Sequence, residues 1–331
     1  MKSTLILALL LLISSQAVEA QSLDLAYKDY GLSFGNSKKF TGLRINLVDR
    51  DVERITGLNL TFWNPGNNPT AVYNGMTLAL IGTKSQHIDG IALSGIGVTA
   101  TEKIRGIAAG TLGVGARNFT GLALGLIMVD VQEHFRGVNI SGGWTLTSNR
   151  LDGLAFSPGV TMAKQVRGVA IAGLFAGGEQ SLTGLALGGC GVFSTRLRGL
   201  AIAGFGAGGE CVDGVVITLG GIGGKQLNGI MLAGLGLGAS EHIRGLAIGG
   251  ILSFAPEVTG LTIGAMNGLY IDRIDLEDFL HFKLANEKYT GLSIGLVNYS
   301  KNLNGVQLGL LNYAANNPKW LRLLPLLNVH L

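Results

Sequence analysis

The residues that could carry chemistry are few, and most recur at one place relative to a repeated glycine. His87, His134 and His242 each stand three residues before such a glycine. Imidazole is a common zinc ligand, but a zinc site needs three or four ligands converging on one ion at about 2 Å. Residues from separate repeats do not converge, so these histidines are expected in exposed turns. Glu102, Glu133 and Glu241 share a second equivalent position, with Arg105, Arg136 and Arg244 three residues on. They read as solvated turn charges, and exposed ion pairs contribute little.

Gly204, Gly206 and Gly209 fit G-x-G-x-x-G, and Gly224-Lys225 is similar to the end of a phosphate loop, though Gln226 follows where Ser or Thr is needed. Both motifs require a strand leading into a helix whose N-terminus binds phosphate, and the repeat leaves no room for that helix. Cys190 and Cys211 occupy different repeat positions and so would not stack one above the other. Buried or turn thiols are the default, and a disulfide stays open. Asp272, Asp275, Glu277 and Asp278 form an acidic cluster without a recognised calcium loop. No Ser, His and Asp grouping assembles. The expectation is no catalytic, cofactor-binding or metal-binding residue, hence no cofactor and no enzyme.

The elements that carry these residues follow a short period. A glycine flanked by apolar residues occurs at 42, 57, 75, 90, 106, 121, 137, 153, 168, 184, 199, 214, 229, 245, 260, 291 and 305. Thirteen of the sixteen intervals between them are alike, at about 15–16 residues, and a fixed period of this kind marks a repeat architecture. The positions one and three after the glycine are large and aliphatic almost throughout, as Leu122 and Leu124, Val138 and Ile140, or Leu200 and Ile202. The position two before it is apolar too, as Phe119, Phe135, Leu182 and Leu303. Alternating, β-branched, glycine-rich segments of this length read as strands. The fold class is therefore all-β.

Phe119 and Leu122 are three apart, and on a straight strand they would point to opposite faces. A bend at Gly121 would turn both inward, because glycine takes backbone conformations closed to other residues. This predicts a β-solenoid of about sixteen coils of 15–16 residues, with the large aliphatics inward and small residues such as Ala170, Ala172, Ala186, Ala201 and Ala203 on flat outer faces. Polar stretches such as Thr101–Lys103 and Ser240–His242 would form turns. The alternative is a closed antiparallel β-barrel with one strand per repeat. Arg105, Arg136, Arg167 and Arg198 recur at every second repeat, as hairpins built from two repeats would have them. A barrel in the outer membrane would need aromatic girdles and strict alternation, and neither is present.

The division expected along the chain is a signal peptide over 1–20, an N-terminal cap or first strand over 21–41, the repeat over 42–313 and a C-terminal cap over 314–331. Lys2, the apolar run Leu5–Ile13 and Val18-Glu19-Ala20 carry the signal-peptide reading. Two irregular insertions, 63–73 and 265–289, interrupt the repeat. The first is a Pro, Gly and Asn loop, and the second reads as a degenerate coil or a short helix. With 47% apolar and 14% charged residues the chain is not disordered, and its net charge of +4 is spread without a basic patch, which excludes a nucleic-acid footprint.

The stretch Thr290–Asn317, TGLSIGLVNYSKNLNGVQLGLLNYAANN, with LPLLNVHL at the end, resembles the bacterial glycine-rich surface-repeat proteins, exported chains built of G-L-x-I-G-L-x-N units. The resemblance implies export and a role at the surface or envelope, and brings no catalytic residue. The expectation is a non-enzymatic structural or binding element of the bacterial envelope, in the periplasm, outer membrane or cell surface. Its partner would be an unknown envelope or surface component. Self-association and peripheral or integral outer-membrane association stay open, and an outer-membrane β-barrel with a transport role is the alternative.

Overall fold

The computed structural model describes residues 22–331 apart from 29, 64, 67 and 274–280. The signal-peptide segment 1–20 and the acidic residues Asp275, Glu277 and Asp278 lie outside the described residues. The regular structure is all β, and successive repeats pair parallel and in register, giving a β-solenoid of about 18 turns. The closed antiparallel barrel is ruled out by those parallel ladders, in which neighbouring coils superpose glycine on glycine. The chain divides into two compact units at Leu126/Ile127. In the first, Gly31, Gly42, Gly57, Gly75, Gly90, Gly106 and Gly121 are in register. In the second, the column runs from Gly137 through Gly260 and Gly291 to Gly305.

Every glycine of these columns has a positive φ, between 113° and 151°, a region that side chains rarely adopt. A Cβ built on Gly214 would also fall within 3.0 Å of the Gly199 carbonyl oxygen on the coil before. Glycine is thus required twice over, by its torsion and by the close approach of its neighbour. A second small-residue column sits where the chain bends five or six residues later: a Cβ on Gly189 would collide with Gly173, and one on Gly204 with Gly189.

The interior contradicts one expectation and keeps another. The position two before the glycine is buried in every coil from Phe40 to Leu303. The large residues after the glycine, however, point outward: Val138, Ile140 and Ile202 are 38%, 44% and 40% exposed. The alanines expected on flat outer faces fill the core instead, with Ala170, Ala186 and Ala201 at 0% and Ala172 and Ala203 at 4%. The bend that breaks the two-residue alternation lies elsewhere, between the fifth or sixth and the third residue before the glycine, where the ladders shift register, as between Ser85 and His87 or between Ala100 and Lys103. That corner also absorbs the variable coil length. Arg117 alone fills it between Ala116 and Asn118, whereas Thr101 and Glu102 fill it in the preceding coil. Thr101–Lys103 and Ser240–His242 are therefore at a turn, as expected.

The two ends and the second insertion are built from antiparallel pairs. Ser22–Tyr27 pairs antiparallel with Tyr30–Gly35, whose Gly31 opens the glycine column, so the repeat starts earlier than residue 42. Leu323–His330 runs antiparallel to Asn302–Ala314, along the last coil. In the second insertion the ladder passes straight from Gly260 to Gly291, and the extra chain leaves as an antiparallel ribbon, Leu269–Arg273 against His281–Leu284. Its described residues form strands and not a degenerate coil or a helix. The first insertion is a loop, anchored by Asn68, whose side chain accepts from the Val52 amide at 3.1 Å and donates to the Asp49 carbonyl at 2.9 Å.

Candidate functional surface

The corner before the glycine carries the polar side chains. In the second unit its register column reads His134, Arg150, Gln165, Ser181, Arg196, Cys211, Gln226, His242. His134 and His242 are seven coils apart, about 34 Å at ~4.8 Å per coil, and share no ion. The His242 Nε2 lies 3.2 Å from the Asn228 Oδ1. Ion pairs run between coils, as Arg198 to Asp213 at 3.5 Å, Lys225 to Glu210 at 2.7 Å, and in the first unit Arg105 to Asp89 at 3.8 Å and Arg117 to Glu102 at 3.7 Å, and also along one coil, as Arg150 to Asp152 at 2.8 Å. Each lies at the exposed surface, where pairing adds little stability. Cys190 and Cys211 are free thiols, Cys190 at the bend after the glycine and Cys211 in the polar corner. Gly204, Gly206, Gly209 and Gly224 lie on ladder strands or the bends between them, with no helix N-terminus to receive a phosphate.

The sequence reading missed one charged cluster altogether. Arg44, two residues after its glycine, points into the core and is fully buried with Asp49. The guanidinium donates to Asp49 at 2.5 Å and to Asn59 and Asn36 at 2.8 Å each, while Asn46, Thr61 and Tyr73 donate to the same carboxylate. Burial alone would raise the Asp49 pKa, but the Arg44 charge and these hydrogen bonds outweigh it and hold the carboxyl below its usual value. Burial and the Asp49 charge push the Tyr73 phenol well up. Such a pair is closed off from solvent and offers no open site. Its signal was available: the alanine column reads Arg44, Asn59, Thr77 before alanine takes over at Ala92. A second internal polar ladder closes the other unit, Asn267 to Asn298 at 2.8 Å and Asn298 to Asn312 at 2.7 Å.

The outer surface of the second unit is divided by charge. Between Val131 and Gly260 there are eight basic and seven acidic residues, and all fifteen fall within the five positions before a key glycine. The remaining circumference of these residues carries none, and Asp130, just before them, is in register with Leu146 at the edge of the face that holds Trp144. One face holds the two aliphatic columns after the glycine, from Val138 and Ile140 through Leu261 and Ile263. The bend that follows exposes Leu174, Phe205, Leu219 and Leu235. The next face holds Trp144, Leu146, Met162, Phe175 and Phe193, then a floor of glycines at 206, 208, 221, 223, 236 and 238, and then Phe254. Over part of that floor lies an open trough of about 600 Å³, with Phe193 and Met162 on one side and Glu210 at its rim.

Fold and surface together define a parallel β-solenoid whose second unit carries one charged edge and broad uncharged faces. Beyond that class the comparisons add nothing: no protein-family model, no curated protein and no solved structure matches the chain.

Proposed function

We propose that this chain is a non-enzymatic, exported repeat protein that serves as a structural or binding element of the bacterial cell envelope or surface. The observation that carries the reading is the division of the second unit's surface into one charged edge and uncharged apolar faces. A surface of that extent acts by contact over many coils, not by chemistry at a point. The charged cluster of the first unit supports the same reading, since it is enclosed by protein and its bonds are made within the fold. The apolar run after Lys2 and the resemblance of Thr290–Asn317 to glycine-rich surface-repeat proteins supply the direction of export. Fractionation of the producing bacterium tests this. The expected result is an N-terminally shortened chain in the envelope or surface fraction. Full-length chain confined to the cytoplasm overturns it.

A further inference from the structure

We infer that the uncharged faces of the second unit lie in the acyl region of a lipid surface, with the charged corner turned to water. The inference rests on the envelope reading above and names the partner. Over eight coils, from Gly153 to Gly260, the uncharged circumference measures roughly 40 by 30 Å, on the order of 1,200 Å², from ~4.8 Å per coil and ~3.3 Å per residue. The largest apolar patch on a soluble monomer is about 300–600 Å².

Three features select lipid as the occupant. The apolar surface turns a corner: it runs from the Ile140, Ile202 and Ile217 column, over Phe205 and Leu219, to Trp144, Phe175 and Phe193. A second rigid copy of the chain could cover one of these faces and would leave the other face and the ridge exposed. A fluid covers all three. The backbone is also suited to an apolar medium, because even at the bend amides donate to the preceding coil: Leu174 to Gly159 at 2.9 Å, Leu235 to Gly220 at 3.0 Å and Ile251 to Leu235 at 2.7 Å. Finally, a protein partner is normally met by about one hydrogen bond per 100–200 Å². The outward columns after the glycine, from Val138 and Ile140 to Leu261 and Ile263, consist of aliphatic side chains and Phe156 and offer none. The edge itself is balanced, eight basic residues against seven acidic, so anionic headgroups are not required. This is the arrangement of a protein that lies on a membrane without crossing it.

The experiment is flotation of the purified mature chain with phosphatidylcholine vesicles. The protein is expected to float with the vesicles, unchanged by 0.5 M salt and changed less than twofold by added anionic lipid. Ile202→Glu, Ile217→Glu and Leu232→Glu combined should lower the bound fraction at least tenfold at unchanged circular dichroism, and Lys225→Gln should leave it as it was. If the triple variant fails to fold, a chain with Trp144 as its only tryptophan decides: bromine on the acyl chains should quench it, and an unquenched Trp144 overturns the inference. Parent protein that stays at the bottom of the gradient overturns it. So do lipid-free oligomers that the triple variant dissolves, which assign the face to a second copy. A chain found in the envelope that ignores vesicles leaves the envelope reading standing; one that floats yet stays in the cytoplasm overturns only that reading.

Discussion

Exchanging a large residue across the inside and outside of one coil tests the packing directly. Ala201 is fully buried between Ala186 and Val216 of the neighbouring coils, whereas Ile202 beside it is 40% exposed. The coils are ~4.8 Å apart and the next one already buries Val216 against Ala201, so Ala201→Leu meets a filled column and must displace a neighbour or force strained rotamers. Overpacking of this kind costs about 1–3 kcal/mol, and the narrow coil places it at the upper end. Ile202→Ala removes a side chain already two-fifths in water, and a part of the ~1.5–3 kcal/mol for full burial leaves a loss of about 1–1.5 kcal/mol. Urea unfolding followed by far-ultraviolet circular dichroism reads both. The assignment of inside and outside is refuted if Ala201→Leu stays within about 0.5 kcal/mol of the parent, as a surface substitution does, while Ile202→Ala loses the ~2–5 kcal/mol of a core truncation.

Further outcomes follow from particular groups. Gly214→Ala meets a positive φ and the Gly199 carbonyl, and should cost at least ~3 kcal/mol in the same unfolding assay, counting backbone strain of about 1–3 kcal/mol and displaced ladder bonds. Gly223→Ala meets nothing within 4 Å and should be neutral or gain up to ~1 kcal/mol. Asp49→Ala leaves Arg44 buried without its partner and should cost about 3–5 kcal/mol, read as lost amide-exchange protection over 39–61. Because the folded Asp49 carboxyl titrates below its unfolded value near 3.9, its stabilisation is complete above about pH 4 and drains as the pH falls through the folded value. An acid-induced loss of protection in these coils that Asp49→Asn does not diminish would contradict this. Burial raises the Tyr289 pKa to about 12, so its stabilisation is complete below pH ~10 and lost as the pH rises through the folded value. Tyr289→Phe should shrink the fall of the urea midpoint over that window.

The repeat, its length and its strands were legible because the glycine column is a backbone requirement, and such a requirement admits one residue type. The inward position two before the glycine was legible for the same reason, being large and apolar in every coil. The facing of the other positions was misread. An apolar period identifies the inside only when water lies outside, and in this chain both sides of the strand are apolar, Ala186 inward and Leu187 outward. Coil width breaks the tie: so short a ring leaves little room beside its glycine, and a small residue faces in at most coils, with Val216 and Met231 as the larger apolar exceptions. The Arg44 and Asp49 cluster escaped notice because Asp49 belongs to an irregular stretch whose fold no repeat position announces. The antiparallel ribbon of the second insertion, likewise, has no counterpart in the repeat from which it could be read.

Spin labels on the outward column give the most direct test of stacked, in-register coils. With Cys190 and Cys211 replaced, label pairs at Ile140 and Ile202, Ile140 and Leu232, and Ile140 and Ile248 span four, six and seven coils. The distances should rise in step, at about 19, 29 and 34 Å for ~4.8 Å per coil. Distances that fail to grow with coil number, or that alternate between short and long as neighbouring segments reverse direction, would contradict the account.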